Sequence, residues 1–455
     1  MIRALRHPAR LVPSAFLAFI LVGTVLLMLP IATESGRAAP PLTALFTAVS
    51  AVCVTGLVVV DTATYWSGFG EVVITALIQV GGFGIIMAGT LLGVLVIGRL
   101  RLRGRLLAQT ENSSVRLGDV RSLVGQIALM TATVEVVVAI ALAARFRFHY
   151  EYGVGEAAWH GVFHSVAAFN NAGFGLEADS LMGFVADPVI TLTISAAVII
   201  GGIGFPVMVE VLRNTRRAMR PRTAGRRGAR ISWSLHTRIT VLMTGVLLAV
   251  GFAAYAALEW RNPATLGPLG AGDKLLAAFT AGAQTRTAGF NNLDVSAFRP
   301  ETLLATDALM FIGGGPAGTA GGIKVTTFAI LAVVIWSEIR GEPDVAVFGR
   351  ALPAETQRQA LTVALLGVAA VAIGTAVIML DTGFGLDQVL FEAVSAFATV
   401  GLSTGITPDL PPASQVAVIV LMFIGRVGTV AVAAALALRT RRRLYTHPEE
   451  RPLVS

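Results

Sequence analysis

The chain has a single cysteine, Cys53, in 455 residues. A lone thiol closes no intramolecular disulfide, and Cys53 reads as a small apolar packing residue. No cysteine and histidine set stands at metal-ligand spacing, and His149, His160, His164 and His236 receive no role. Charge is scarce too: 14% of the chain, against about a quarter in an ordinary soluble domain. Only two lysines occur, Lys274 and Lys324, among 35 basic residues. No polar stretch is long enough to form a soluble domain of its own, which excludes a built-in ATPase or nucleotide-binding module.

What fills the chain is apolar residues, 55% of the total, with a mean hydropathy of +0.75. Several runs exceed the length that crosses a bilayer. The run 11–29 follows Arg3, Arg6 and Arg10, as in a signal peptide. It is too long for a typical signal core and no small-residue cleavage site follows, so a retained first helix is expected. Most of the remaining arginines fall in blocks at 99–121, 213–238, 340–358 and 439–451. The connections between blocks carry few basic residues, which is the positive-inside pattern. It places both termini and the basic loops in the cytoplasm of a multi-pass plasma-membrane protein. The block at 213–238 also suits contact with anionic lipid or docking of a regulatory partner.

One unit recurs four times. Short amphipathic runs at 45–57 (LFTAVSAVCVTGL), 163–174 (FHSVAAFNNAGF), 279–290 (FTAGAQTRTAGF) and 391–402 (FEAVSAFATVGL) each end in a glycine followed by Phe or Leu. An apolar span precedes each, at 11–30, 124–144, 239–258 and 361–380. A second glycine cluster follows each, at QVGGFG, IIGGIG, FIGGGP and FIGRVG. The pattern predicts a long helix, a half-length helix, a turn and a second long helix, the latter near 71–98, 187–212, 303–338 and 413–438. Half helices this short cannot span, and irregular backbone at membrane depth must face protein or water. Four of them converging on one axis meet that condition. The expectation is an all-α integral membrane protein of four tandem repeats, 1–105, 106–222, 223–345 and 346–455 with its tail, making eight spanning helices and four re-entrant ones.

The chemistry sits in four turns: Val54-Thr55-Gly56, Asn171-Ala172-Gly173, Thr287-Ala288-Gly289 and Thr399-Val400-Gly401. A cation crossing a membrane must shed water, and rings of backbone carbonyls can replace that shell. Glycine allows the positive φ that turns a carbonyl toward an axis, and helix C-termini favour a cation. A glycine here can instead do no more than end a helix, but four copies at matched spacing favour the shared role. Asn170, Asn171, Asn291, Asn292, Thr55 and Thr399 flank the turns and are expected to brace them through backbone hydrogen bonds. Glu135 and Glu392 are expected to pair locally. Arg286 suits a scaffold role, since it would repel a permeating cation.

The third repeat departs from the others. Its last helix carries Gly313, Gly314, Gly315, Pro316, Ala317, Gly318, Thr319, Ala320, Gly321 and Gly322, too much glycine and proline for a regular helix. Such a loop below the turns would block or open a pore, or simply kink a helix. The literal G-x-G-x-x-G at Gly313, Gly315 and Gly318 lacks a βαβ setting, and Ile323 separates Gly322 from Lys324, so neither nucleotide motif applies. Arg426 stands inside the last apolar span, where a charge is costly and marks function or a structural tie. It is expected near the loop, repelling a cation or holding loop carbonyls. Lys324 is expected to be a further electrostatic element or a stabilising contact.

AVCVTGLVVVD, FNNAGF, RTAGF, ATVGLSTG and FIGGGPAGTAGGIK, spread over residues 10–440, resemble the potassium-uptake superfamily that includes the Trk, Ktr and HKT proteins. The likeness is greatest to the Ktr membrane subunit, because no extra helices precede the first repeat. The resemblance implies four M1–pore helix–M2 repeats around one K⁺ pore, with K⁺ at the carbonyls of Gly56, Gly173, Gly289 and Gly401. It implies an intramembrane gate at 313–322 with Arg426, no covalent cofactor, a homodimer, and a cytosolic ring of RCK-type subunits that binds ATP or ADP. Single-glycine turns leave Na⁺ conduction open. A secondary transporter commonly uses inverted repeats, whereas these repeats share one orientation. A membrane enzyme needs convergent acids, a nucleophile or metal ligands, and the apolar spans offer only Glu135 and Glu392.

Overall fold

The structure, a computed structural model, describes residues 8–105, 117–218 and 233–428. The hearts of the first two basic loops, part of the helix expected over 413–438 and the tail lie outside these residues.

Helices dominate, and their order repeats. In the first quarter α1 (Pro8–Leu27) precedes a short α2 (Pro41–Cys53), a single turn α3 (Thr62–Tyr65) and the long α4 (Gly68–Arg105). In the second, α5 (Leu117–His149) precedes α6 (Val154–Asn170), then α7 (Pro188–Ile203) and α8 (Phe205–Ala218). In the third, α9 (Leu235–Glu259) and α10 (Ala271–Gln284) precede α11 (Pro300–Phe311) and α12 (Val325–Arg340). In the fourth, α13 (Ala354–Asp381) and α14 (Leu386–Ala398) precede α15 (Pro412–Phe423), whose end passes into a π-helical turn at 424–428. Beside the helices and two isolated β-bridges, the described residues contain a hairpin pairing Ala346–Val347 with Arg350–Ala351 through Phe348 and Gly349, both at positive φ.

Local chemistry sets the starts. Proline opens α2, α7, α11 and α15, where its missing N–H costs nothing. Asp187 caps α7 by accepting from the amides of Val189 and Ile190. Its carboxylate also takes Arg145 Nε at 2.8 Å and the Tyr150 hydroxyl at 3.0 Å, tying α7 to α5.

Two of the second long helices are broken, one against expectation and one where its glycines and proline announced it. The reading of one helix over 187–212 is corrected: α7 and α8 meet at Gly204 with a bend of 103°. Gly204 has φ +98°, and Pro206 follows, which together forbid continuation. The helix expected near 303–338 is split between α11 and α12, leaving 312–324 as a closed loop. Its neck is tied by Gly313 N to Ile323 O at 2.9 Å and Val325 N to Gly314 O at 3.0 Å. The half helix α6 is longer than expected, at 17 residues.

By length and composition, four helices among the described residues can cross a membrane, or five if α7 and α8 count as one. Packing closes the chain on itself. Each short helix packs on the long helix before it, and also on the last long helix of the preceding quarter: α4 on α6, α7 on α10, α11 on α14, and α15 on α2. The last pairing joins the end of the chain to its beginning and completes a cycle.

Candidate functional site

Where α2, α6 and α14 end, a residue in the left-handed region caps the helix; after α10 the equivalent residue follows one turn later. These residues are Val54, Asn171, Thr399 and Thr287, with φ of 56°, 60°, 49° and 65°. Two residues on, Gly56, Gly173, Gly289 and Gly401 have φ of 90°, 67°, 77° and 97°. The residues between them, Thr55, Ala172, Ala288 and Val400, are buried and do not have positive φ. This alternation is the same in all four turns.

The turns form a ring. A Cβ on Gly56 would meet Ala172 O and lie 3.0 Å from Gly173 Cα. One on Gly173 would lie 2.8 Å from Ala288 O and 3.0 Å from Gly289 Cα. One on Gly289 would meet Val400 O and Gly401 Cα, and one on Gly401 would meet Thr55 O and Gly56 Cα. Each glycine therefore faces the carbonyl of the next turn, and the fourth returns to the first. The close approach leaves no room for a side chain at any of the four.

The second glycine clusters explain themselves at the back of the ring. Cβ atoms on Gly81, Gly201 and Gly425 would run into the carbonyls of Val52, Phe169 and Phe397, each four residues before a ring glycine. In the third quarter the equivalent Gly313 faces Gly321 O of its own loop instead.

The bracing follows the sequence reading at Asn170, Asn171 and Asn292, whose side-chain amides donate to the backbone oxygens of Val166, Arg286 and Ala277, and differs at the threonines. The hydroxyls of Thr55 and Thr399 have no hydrogen-bond partner among the described residues. Instead Ser50 and Ser395 accept from the amides of Gly56 and Gly401, both at 3.1 Å. The signal was available: serine six residues before the glycine in the first and fourth quarters, with Ala167 and Ala283 at the same place in the others. Asn170 holds α6 from behind, donating to Gln79 Oε1 at 2.8 Å and to Glu135. Asn292 donates to Ala277 O at 3.0 Å, and the backbone O of Asn291 accepts from Leu181 N at 2.9 Å. Glu392, fully buried, accepts from Ser403 and, at 2.9 Å, from Thr407. Cys53 is buried.

On one side of the ring lies a cavity of about 250 Å³, lined by all four glycines together with Asp61, Glu177, Ser403 and Thr407 among others. Asp61 and Glu177 went unremarked in the sequence, although each follows a ring glycine within five residues. Two carboxylates at this mouth favour a cation. Tyr152 and Asp61's own contacts fix them: the Tyr152 hydroxyl donates to Glu177 at 2.9 Å, and Asp61 caps α3.

On the opposite side lies the loop 312–324, pressed against the left-handed residues. Gly321 N donates to Thr287 Oγ1 at 3.1 Å, and Thr319 Oγ1 donates to Asn171 Oδ1 at 2.8 Å. Gly321 also lies against Thr399 and Ala398 O. The loop amides of Gly315 and Thr319 donate to Gly202 O and Gly201 O at 2.8 and 3.1 Å. These carbonyls belong to the end of α7, which lacks helical partners, so the break at Gly204 is where the loop docks. Three cationic side chains hold loop carbonyls: Arg286 takes Gly313 O at 3.0 Å, Lys324 takes Ala320 O at 2.6 Å, and Arg426 takes Thr319 O. Arg426 is 2% exposed, and its Nε and Nη2 have no partner among the described residues. Gly314, Pro316, Ala317, Gly318 and Gly322 complete the loop, with Ala317 and Gly322 at positive φ.

The TrkH family, described as cation transport proteins, matches residues 2–441. Ktr system potassium uptake protein B of Bacillus subtilis (strain 168) is 37% identical over 445 residues, 97% of this chain and 95% of that protein. The protein of the same name from Vibrio alginolyticus is 36% identical over 441 residues, 97% and 93% of the two chains. Potassium/sodium uptake protein NtpJ of Enterococcus hirae is 32% identical over 455 residues, 99% and 97% of the two. The crystal structure of the potassium transporter TrkH from Vibrio parahaemolyticus has the same fold, with a TM-score of 0.66 at 19% identity over 94% of this chain and 85% of that one.

Proposed function

The chain belongs to the TrkH family of cation transport proteins, and from that premise we propose that it carries K⁺ into the cell through the ring of four turns. The observation that carries this reading is the closed ring itself, with an acid-bearing cavity on one face and a cation-held loop on the other. A K⁺ ion entering from the cavity passes Asp61 and Glu177 and sheds water against carbonyls of the ring. Gly56, Gly173, Gly289 and Gly401, with the two residues before each, supply that path. The four short helices direct their C-terminal partial charges to the same place. The ion then meets the loop 313–322, which Arg286, Lys324 and Arg426 hold across its way, and the loop acts as the gate. The guanidinium of Arg426 both fastens the loop and opposes a cation beneath the ring.

In this reading the four quarters, 1–105, 106–222, 223–345 and 346–455, are the repeats. They supply eight spanning helices and four re-entrant ones, with both termini in the cytoplasm of the plasma membrane. The relatives named as part of a Ktr system support partnership with further components of such a system; in this reading the chain forms a homodimer on a cytosolic ring of RCK-type subunits whose bound ATP or ADP sets the gate. The chain itself carries ions and catalyses no reaction.

A second reading has specific support. NtpJ is named for potassium and sodium, and each turn here has one glycine, so Na⁺ passage is the alternative within the same pore.

The test is growth of a bacterium deficient in K⁺ uptake on low K⁺, with the regulatory partner supplied. The native chain is expected to restore growth. Gly289→Ser, which forces a side chain against Val400 O at φ +77°, is expected to fail while accumulating normally. Failure of the native chain, or growth dependent on Na⁺ alone, overturns K⁺ uptake as the function.

A further inference from the structure

Thr319 spends every polar group it has on holding the loop in place. Its amide donates to Gly201 O at 3.1 Å, its carbonyl receives Arg426, and its hydroxyl lies 2.8 Å from Asn171 Oδ1 and 3.1 Å from Phe169 O. The residue is fully buried. Asn171 is the left-handed residue of the second turn, at φ 60°. Its Nδ2 reaches Arg286 O at 3.4 Å, in the residue before the left-handed Thr287 of the third turn. One amide side chain therefore joins the second turn, the third turn and the loop. The loop grips the third turn a second time through Gly321 N and Thr287 Oγ1 at 3.1 Å.

From this geometry, and resting on the conduction reading above, we propose that Thr319 and Asn171 form a latch between loop and ring, so that moving the loop changes how the ring discriminates among monovalent cations. The physical argument is one of satisfaction. A loop displaced far enough to clear a path must break the bond of Thr319 to Asn171 and the bond of Gly321 to Thr287. Both acceptors are buried, and a buried polar group left unpaired is costly. A left-handed conformation is unfavourable for a β-branched residue and easier for asparagine, so Thr287 above all, and Asn171 with it, keeps it while its surroundings hold it. Released from the loop, both turns relax, and the carbonyl positions two residues away move with them. The first turn is exempt, because Val54 stands at its left-handed position and offers the loop no hydrogen bond. The relaxed ring is therefore lopsided, which is a poor cage for choosing between ions of similar charge and different radius. By linkage the coupling runs both ways: an ion that fits the ring well also biases the loop toward its latched position.

Thr319 and Asn171 are thus positioning residues, acting on the ion through the turns. The test uses the full chain in liposomes, with rubidium uptake competed by K⁺ and by Na⁺. Thr319→Val keeps the branched shape and removes the hydroxyl; Thr319→Ser keeps the hydroxyl. The expected result is that Thr319→Val lowers the ratio of Na⁺ to K⁺ concentrations for half-inhibition by about fivefold, the lower end of ordinary coupling between sites. Thr319→Ser keeps the native ratio. If Thr319→Val does not fold, Thr287→Val probes the latch from the ring side, since Val54 shows that such a turn accepts valine there. A change in total flux with an unchanged ratio in these valine variants means that the loop only plugs the path, and it overturns the latch while leaving the conduction reading intact. Absence of rubidium uptake by the native chain overturns the conduction reading and the latch with it.

Discussion

Val54, Asn171, Thr287 and Thr399 hold φ between 49° and 65°, a region that side-chain-bearing residues seldom enter. Each is followed two residues later by a glycine at positive φ whose missing side chain makes room for the next turn's carbonyl. These two requirements have different consequences for substitution. Gly401→Ala places a methyl against Thr55 O at φ +97°, so something in the ring must shift. Uptake of rubidium is expected to fall by about tenfold or more, as a rise of about 1.4 kcal/mol in the barrier would give. Ser395→Ala removes only the acceptor for Gly401 N, and the alanines at 167 and 283 show that the turn forms without it. Its uptake is expected to stay within about threefold of native, about 0.65 kcal/mol, the lower end of what an ordinary hydrogen bond contributes. Equal losses in the two variants would remove the special place given to the ring glycine.

Among the elements, the loop 312–324 is the one whose position has to be maintained by others. Its neck is tied by backbone bonds, its tip rests on the end of α7, and three side-chain cations occupy its carbonyls. Nothing in that arrangement is a continuous helix, so the loop can leave without unfolding α11 or α12. Deleting 315–320 is expected to raise rubidium uptake in the absence of the regulatory partner, and Arg426→Ala to do so to a lesser degree. Uptake that stays at the native level after the deletion would remove the gate assignment. Much of this region was legible beforehand, because glycine and proline at such density announce an irregular segment, and an arginine in an apolar span announces a partner. The docking place was hidden. The glycines of IIGGIG looked like those of an ordinary packed helix; Gly204 and Pro206 stop α7, and the use of that stop, the carbonyls of Gly201 and Gly202 taken by the loop's amides, appears only in the packed chain.

At the scale of the whole molecule, ties between the long helices hold each quarter together, as Asp187 holds α7 to α5. Burial pushes its carboxyl up, but Arg145, the amides of Val189 and Ile190 and the Tyr150 hydroxyl outweigh that and hold it below its ordinary value of 3.8. A carboxyl whose folded value is depressed contributes stability above the unfolded value, and the contribution fades as pH falls through the folded one. Asp187→Asn is therefore expected to lower the melting temperature at pH 6 and to matter less at pH 3, as followed by thermal unfolding in detergent. A difference from native that is as large at pH 3 as at pH 6 would mean the carboxylate charge is not what holds α5 to α7.

The sequence by itself determined the class and the local pattern: an apolar chain, one motif recurring four times, four glycine turns, a second glycine cluster behind each, and one segment that cannot be a helix. These follow from composition and from features that each span a few turns of chain. What only the tertiary structure decided is who meets whom. Ring closure pairs Gly401 with Gly56 from opposite ends of the chain. Arg426 finds Thr319 across 107 residues, and Thr319 finds Asn171 across 148. Asp61 and Glu177 become neighbours of one cavity because the cycle of helices brings their turns together. Local patterns cannot encode such meetings, since a hydrogen bond or a close approach depends on the packed positions of both partners and on every helix between them.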